Sequence, residues 1–319
     1  MFEIARPRQW IKNCFIFAPL IFVKQVSDLV QLEYTFLAFC LFCLFSSCVY
    51  MINDIADMER DQLHPQKRNR PLPSGRLSVQ TVLIMCVSIL LVALIGSALL
   101  SLRFTCVGVI YLVVHLIYSF GGKSIVILDG MMVASGFVLR TYAGAVVINV
   151  EFSDWLYICA LFVSLFLAYS KRRHEIILLG EKEAQHHREI LQEYSTHLLD
   201  QIISIVTAAT LVTYSLYCID STRPIGAQDS QIAAHSSNAS ISESAASISA
   251  PEQRNSARHN TRMKYSIPFV IYGVFRYLYL VYRKDEGGNP TELLLSDRPM
   301  LVNGFLWLAV VFWALYNSS

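Results

Sequence analysis

From Tyr34 to Ile52 the chain reads YTFLAFCLFCLFSSCVYMI, nineteen residues without a charge. As α-helix, at ~1.5 Å per residue, this run is long enough to cross ~30 Å of bilayer hydrocarbon. Comparable apolar runs lie near 13–23 (a short one), 79–100, 104–120, 125–148, 155–170, 198–219, 265–282 and 301–316. Backbone N–H and C=O groups cannot stay unpaired in lipid, so a chain with nine such runs is confined to a helical bundle. Composition agrees: 54% of the 319 residues are hydrophobic and 16% charged, which excludes an ordinary soluble domain. The expected fold class is an all-α polytopic membrane protein with nine transmembrane helices in one domain spanning 1–319.

The N-terminus, MFEIARPRQWIKN, has no small-residue cleavage site, so the spans themselves are expected to direct insertion. All eight cysteines fall in or beside apolar runs, where they serve as packing residues. Cys40 and Cys43 form a C-x-x-C without a second pair, which does not make a metal or redox site. Nothing in the sequence suggests nucleic-acid binding or fixes an oligomeric state.

Lysine and arginine set the orientation. One side of the spans carries 17 of them and the other 7, with Arg140 and Arg276 inside spans. The richer side is expected to be cytoplasmic, in a bacterial inner membrane, with the C-terminus outside. Residues 220–263, rich in Ser and Ala and without helical periodicity, are expected to form a disordered external loop. The charged loops at 53–78, around Lys123, after 170 and after 282 would then all open on one face.

The first of these loops, NDIADMERDQLHPQKRNRPLPSG, begins directly after the nineteen-residue run. If helix continues past Ile52, Asn53, Asp57 and Asp61 share a face, with Asp54 beside them. Carboxylates stacked at this spacing repel and call for a cation. All-oxygen ligands without His or Cys suit Mg²⁺ completed by substrate phosphates. From the carboxylates alone, a metal site and a solvated acidic helix end are equally good readings. The adjacent basic residues Lys67, Arg68, Arg70 and Arg76 favour the former, because they can hold phosphate oxygens not taken by metal.

NDIADMERD followed by KRNRPLPSG resembles the first aspartate motif, N-D-x-x-D-x-x-x-D, of the UbiA superfamily of intramembrane prenyltransferases. The resemblance implies a nine-helix bundle with a cytoplasmic, Mg²⁺-dependent diphosphate site. Aromatic prenyltransferases of that superfamily carry a second motif, D-x-x-x-D, after the sixth span, where this chain has YSKRRHEI. Together with RPRQWIKNCFIFAPLIF, YSFGGKSIVILDGMMVASGFVLRTYAGA and YSIPFVIYGVFRYLYLVYRKDEGGNPTELLLSDRPML, that stretch resembles the decaprenyl-phosphate phosphoribosyltransferase branch. This branch transfers 5-phosphoribose from phosphoribosyl pyrophosphate to a polyprenyl phosphate and supplies cell-wall polysaccharide synthesis.

On that resemblance Asn53, Asp54, Asp57 and Asp61 are expected to hold Mg²⁺, and Asp54, Asp57, Asp61 and Lys171 form the expected catalytic set. Lys67, Arg68 and Arg70 would neutralise the leaving pyrophosphate, while Lys171, Arg172 and Arg173, with Glu175, would face the sugar or lipid phosphate. Lys12, Lys123, Asp129 and Arg276 complete the expected substrate-binding residues. Arg140, deeper in its span, is expected to play a structural hydrogen-bonding role, and Tyr118, Tyr272 and Tyr279 to pack. The stretch EKEAQHHREILQEYSTH reads equally well as a lid or as a solvated surface helix. Two other readings compete: an aromatic prenyltransferase, which the missing second D-x-x-x-D disfavours, and a transporter, disfavoured by the lack of internal repeats.

Overall fold

A computed structural model of the protein describes residues 2–63, 67–187, 193–220, 260–283, 293 and 296–316. The regular elements among the described residues are all helices. After an eleven-residue 3-10 segment, Pro7–Phe17, come α1 (Ala18–Phe22), α2 (Leu29–Ala56), α3 (Met58–Leu63), α4 (Val79–Leu100), α5 (Leu102–Phe120), α6 (Leu128–Val147), α7 (Asp154–His187), α8 (Thr196–Asp220), α9 (Ile267–Arg283) and α10 (Arg298–Tyr316). Local sequence starts several of them. Asp28 caps α2 by accepting from Val30 N at 2.9 Å, and Ser78 caps α4 through Thr81 N at 3.2 Å.

Seven of these helices, α2, α4 to α8 and α10, are long and apolar enough to cross a membrane. The expected eighth span is α9, whose 17 residues lie at the short limit. The expected first span differs in kind. Residues 7–17 wind as 3-10 helix, and only the five residues of α1 are α-helical. At ~2.0 Å rise per 3-10 residue and ~1.5 Å per α residue, this short piece still reaches ~30 Å. The expected external loop at 220–263 falls almost wholly outside the described residues.

Two packed clusters flank a central cavity. One joins α2, α4, α5 and α6 through Phe42, Phe45, Phe104, Tyr111 and Ala143; the other joins α7, α8 and α9 through Tyr169, Leu199, Ile203, Tyr277 and Leu280. The outward faces stay apolar: Leu83, Ile84, Val87, Leu91 and Ile95 of α4 are all exposed, as lipid-facing residues must be. The 3-10 segment lies against α6 and α2. There Gly144 permits a close approach, since a Cβ at that position would stand 2.0 Å from the Ile16 carbonyl oxygen.

Candidate active site

Helix α2 does not continue unbroken through the acidic motif. It ends at Ala56, Asp57 occupies a one-residue turn, and α3 resumes at Met58. Hydrogen bonds from Asp57 N to Asn53 O (2.9 Å) and from Asp61 N to Asp57 O (2.8 Å) keep the register across the break. The carboxylates therefore take two directions. Asp54 and Asp61 are buried and share Arg70, whose Nη1 donates to Asp61 at 2.6 Å and to Asp54 at 3.3 Å. Arg6 also pairs with Asp54. Asp57 faces the cavity, pairs with Lys123, and accepts from Asn53 Nδ2 at 3.1 Å. Asp54, Asp57 and Asp61 are thus each paired with a protein cation. Among the described residues, no three His, Cys, Asp or Glu side chains gather as a ready metal cage.

Arg6 was not singled out by its sequence. It stands at φ 49°, ψ 60° immediately before Pro7, a conformation that costs a non-glycine residue free energy. The turn carries its guanidinium onto Asp54 and over the Tyr50 ring, 5.2 Å from the centroid. A second strained residue, Ile127 at φ 68°, precedes α6. Its N–H donates to Tyr194 OH at 2.7 Å and its carbonyl accepts from Tyr169 OH at 3.0 Å, which fixes the turn that presents Asp129.

Asp129 is fully buried behind the cavity wall and accepts from Arg172 Nε at 2.6 Å and from Tyr194 OH at 2.7 Å. Burial and the Asp129 carboxylate together push the Tyr194 phenol up, so it remains a donor. Arg172 also donates to Glu175 at 2.6 Å and to Tyr118 OH at 3.2 Å. Lys171, Arg172 and Glu175 line the cavity together with Tyr118. Tyr118 is thus a wall residue as well as a packing residue.

The cavity, about 590 Å³, joins this charged end to an apolar wall that includes Phe15, Ile21, Phe22 and Trp307. Of the expected site residues, Lys12, Asn53, Asp57, Arg70, Lys171, Arg172 and Glu175 line it. Asp54, Asp61, Lys123 and Asp129 stand behind that lining as ion-pair partners. Arg173 does not join them: it pairs with Asp200 and stacks over Tyr282, 3.9 Å from the ring centroid. At ~100° per residue Arg173 lies beyond the face of α7 that carries Lys171, Arg172 and Glu175, and it turns to α8 and α9 instead. Arg276 is likewise engaged elsewhere, with Asp297 at 2.8 Å. Arg68 is exposed and outside the lining. The backbone of Lys67 opens a 3-10 turn, and its side chain lies outside the described residues. Arg140, expected beyond reach, lines the same cavity, as do His115 and Ser119.

The family model described as the UbiA prenyltransferase family matches residues 15–172. A decaprenyl-phosphate phosphoribosyltransferase of Corynebacterium glutamicum is 32% identical over 324 residues, covering 99% of this chain and 86% of that protein. One from Mycolicibacterium smegmatis is 29% identical and covers 100% of this chain and 93% of its own length. Among solved structures, a UbiA homolog from Archaeoglobus fulgidus bound to GPP and Mg²⁺ superposes over 98% of each chain with a TM-score of 0.66 at 16% identity, a likeness of fold. The charged cavity inside a membrane bundle, the acidic motif and these matches agree: the chain belongs to the UbiA prenyltransferase family. Both of these relatives, which run nearly its full length, carry the name decaprenyl-phosphate phosphoribosyltransferase.

Proposed function

We propose that the protein transfers 5-phosphoribose from phosphoribosyl pyrophosphate to a polyprenyl phosphate and releases pyrophosphate. One observation carries this reading. The wall opposite the acidic motif presents Lys171 and Arg172 where a second acidic motif would stand, so the cavity faces anions from two sides. A donor with phosphates at both ends of a sugar needs such an arrangement, and a weakly charged aromatic acceptor does not.

Asn53 and Asp57 offer the cavity only oxygen ligands apart from the Asn53 amide nitrogen, a donor set that fits Mg²⁺ with substrate phosphates completing its shell. Mg²⁺ would be held there, with Asp54 and Asp61 as further oxygen ligands, and Arg6 and Arg70, now paired with those carboxylates, would be at hand for pyrophosphate oxygens. The metal would supply charge neutralisation for the leaving group. Lys171 and Arg172 take the 5-phosphate, with Arg172 aimed by Asp129. The lipid phosphate is an anion at neutral pH, so no general base is required, and catalysis is positioning and electrostatics. The charged face is cytoplasmic in this reading, where the soluble donor is available. The product is a lipid-linked phosphoribose for cell-wall polysaccharide, and the chain is one domain over 1–319.

Purified protein, Mg²⁺, labelled phosphoribosyl pyrophosphate and a polyprenyl phosphate are expected to give lipid-soluble label. The Asp57→Ala variant is expected to lose turnover while remaining folded. Label confined to the aqueous phase, with prenylation of an aromatic acid by a prenyl diphosphate, would replace this reading with the aromatic prenyltransferase.

A further inference from the structure

Most cations at the charged end have a carboxylate partner: Arg6 with Asp54, Arg70 with Asp61, Lys123 with Asp57, Arg172 with Asp129 and Glu175, Arg173 with Asp200, Arg276 with Asp297. Two residues on the cavity wall depart from this pattern. Lys12 and Arg140 have no carboxylate partner among the described residues, although both line the cavity and Arg140 is only 3% exposed. Arg140 lies ~18 Å along α6 from Leu128 at the helical rise, well inside the bundle. Its guanidinium is held by neutral groups alone, Nε donating to Asn13 Oδ1 and Nη2 to Tyr111 OH, each at 2.7 Å. Asn13 is itself fixed by donating to Ser46 Oγ at 3.1 Å. His115 completes the cluster, its ring 4.2 Å from that of Tyr111 and its Nδ1 without a hydrogen bond. Gly136 makes room, since a Cβ there would stand 2.7 Å from His115 Cε1 and 3.3 Å from Arg140 Nη1.

A positive charge inside a membrane bundle is costly unless an anion compensates it, and here two stand on the cavity wall with no carboxylate counter-ion among the described residues. Beside them the cavity continues along Phe15, Ile21, Phe22 and Trp307, a surface for hydrocarbon. An anion that carries a long apolar chain fits both parts. We propose that Lys12 and Arg140 form the subsite for the phosphate of the acceptor lipid, holding it below the acidic motif with its chain along the apolar wall. The assignment rests on the proposed phosphoribosyl transfer for the role of the lipid, but the anion subsite can be tested by binding alone.

The probe is farnesyl phosphate, with farnesol as its uncharged counterpart, titrated against the purified full chain. Wild type is expected to bind the phosphate at least tenfold more tightly than the alcohol. Lys12→Gln, at a half-buried position with no side-chain hydrogen bond among the described residues, is expected to remove most of that preference while farnesol binding stays unchanged. Arg140→Lys is expected to retain more of the preference than Arg140→Gln. In steady-state assays the acceptor KM is expected to rise about tenfold in Lys12→Gln with donor KM unchanged. A rise confined to donor KM would assign the subsite to the sugar phosphate and overturn the proposal. Equal binding of farnesyl phosphate by wild type and a folded Lys12→Gln would overturn it too. If wild type binds farnesyl phosphate selectively but transfers no phosphoribose, the functional reading fails and the anion subsite stands.

Discussion

Arg172 Nε lies 2.6 Å from Asp129 Oδ2, and both side chains are almost completely withdrawn from solvent. The pair joins the start of α6 to the charged stretch of α7, so one contact fixes the cavity wall and the direction of Arg172. Removing one member of a buried pair leaves the other uncompensated, at a cost of about 3–5 kcal/mol. Asp129→Asn is therefore expected to lower thermal stability in detergent markedly and to raise donor KM in whatever protein survives. Wild-type stability in Asp129→Asn would show that Arg172 is held by Glu175 and Tyr118 alone.

Arg70 acts on the opposite wall as a shared counter-ion for Asp54 and Asp61. Arg70→Met exposes both carboxylates to each other's repulsion, so the metal-free variant is expected to be less stable than wild type. A divalent cation that replaces the lost charge stabilises by mass action, ~2.7 kcal/mol at 100 times its dissociation constant. Thermal shifts with Mg²⁺ or Mn²⁺ are expected to be larger in Arg70→Met than in wild type. An equal or smaller shift would argue that the ion does not approach these carboxylates.

The charge of Lys12 can be tested separately from its size. Lys12→Arg, which keeps the positive charge, is expected to retain most of the preference for farnesyl phosphate over farnesol that Lys12→Gln loses. Equal loss in the two variants, read by the same titration, would remove the charge of Lys12 from the anion's surroundings.

Gly144 offers a structural test away from the charges. Its missing Cβ would meet the Ile16 carbonyl oxygen at 2.0 Å, a backbone atom that cannot rotate aside. Gly144→Ala is expected to displace the 3-10 segment and with it Lys12 and Asn13, weakening acceptor binding more than donor binding. Overpacking of this kind costs typically about 1–3 kcal/mol.

Much of the bundle was legible because uncharged runs of helical length have few alternatives in a membrane. The acidic motif was legible because its carboxylates recur at helical spacing. Less visible was the pairing of charges, since Lys123 lies 66 positions from Asp57 and Arg172 43 from Asp129. The break at Asp57 left no clear signal: neither Gly nor Pro occurs in NDIADMERD. The diversion of Arg173 to Asp200 left no local signal either, since the two lie 27 positions apart on different helices. Arg6 carried no such sign, as only the turn before Pro7 directs it onto Asp54.

The docking of residues 7–17 also bears on the timing of biogenesis. This segment precedes α2 in the chain, yet Arg140, which bonds Asn13, follows 127 positions later. At 5–20 residues per second the ribosome needs roughly 6–25 s to reach it. Throughout that interval Asn13 has only α2 to rest on, and the Ile16 carbonyl awaits the glycine of α6 that admits it. This wall of the cavity is therefore seated only after α6 has been made.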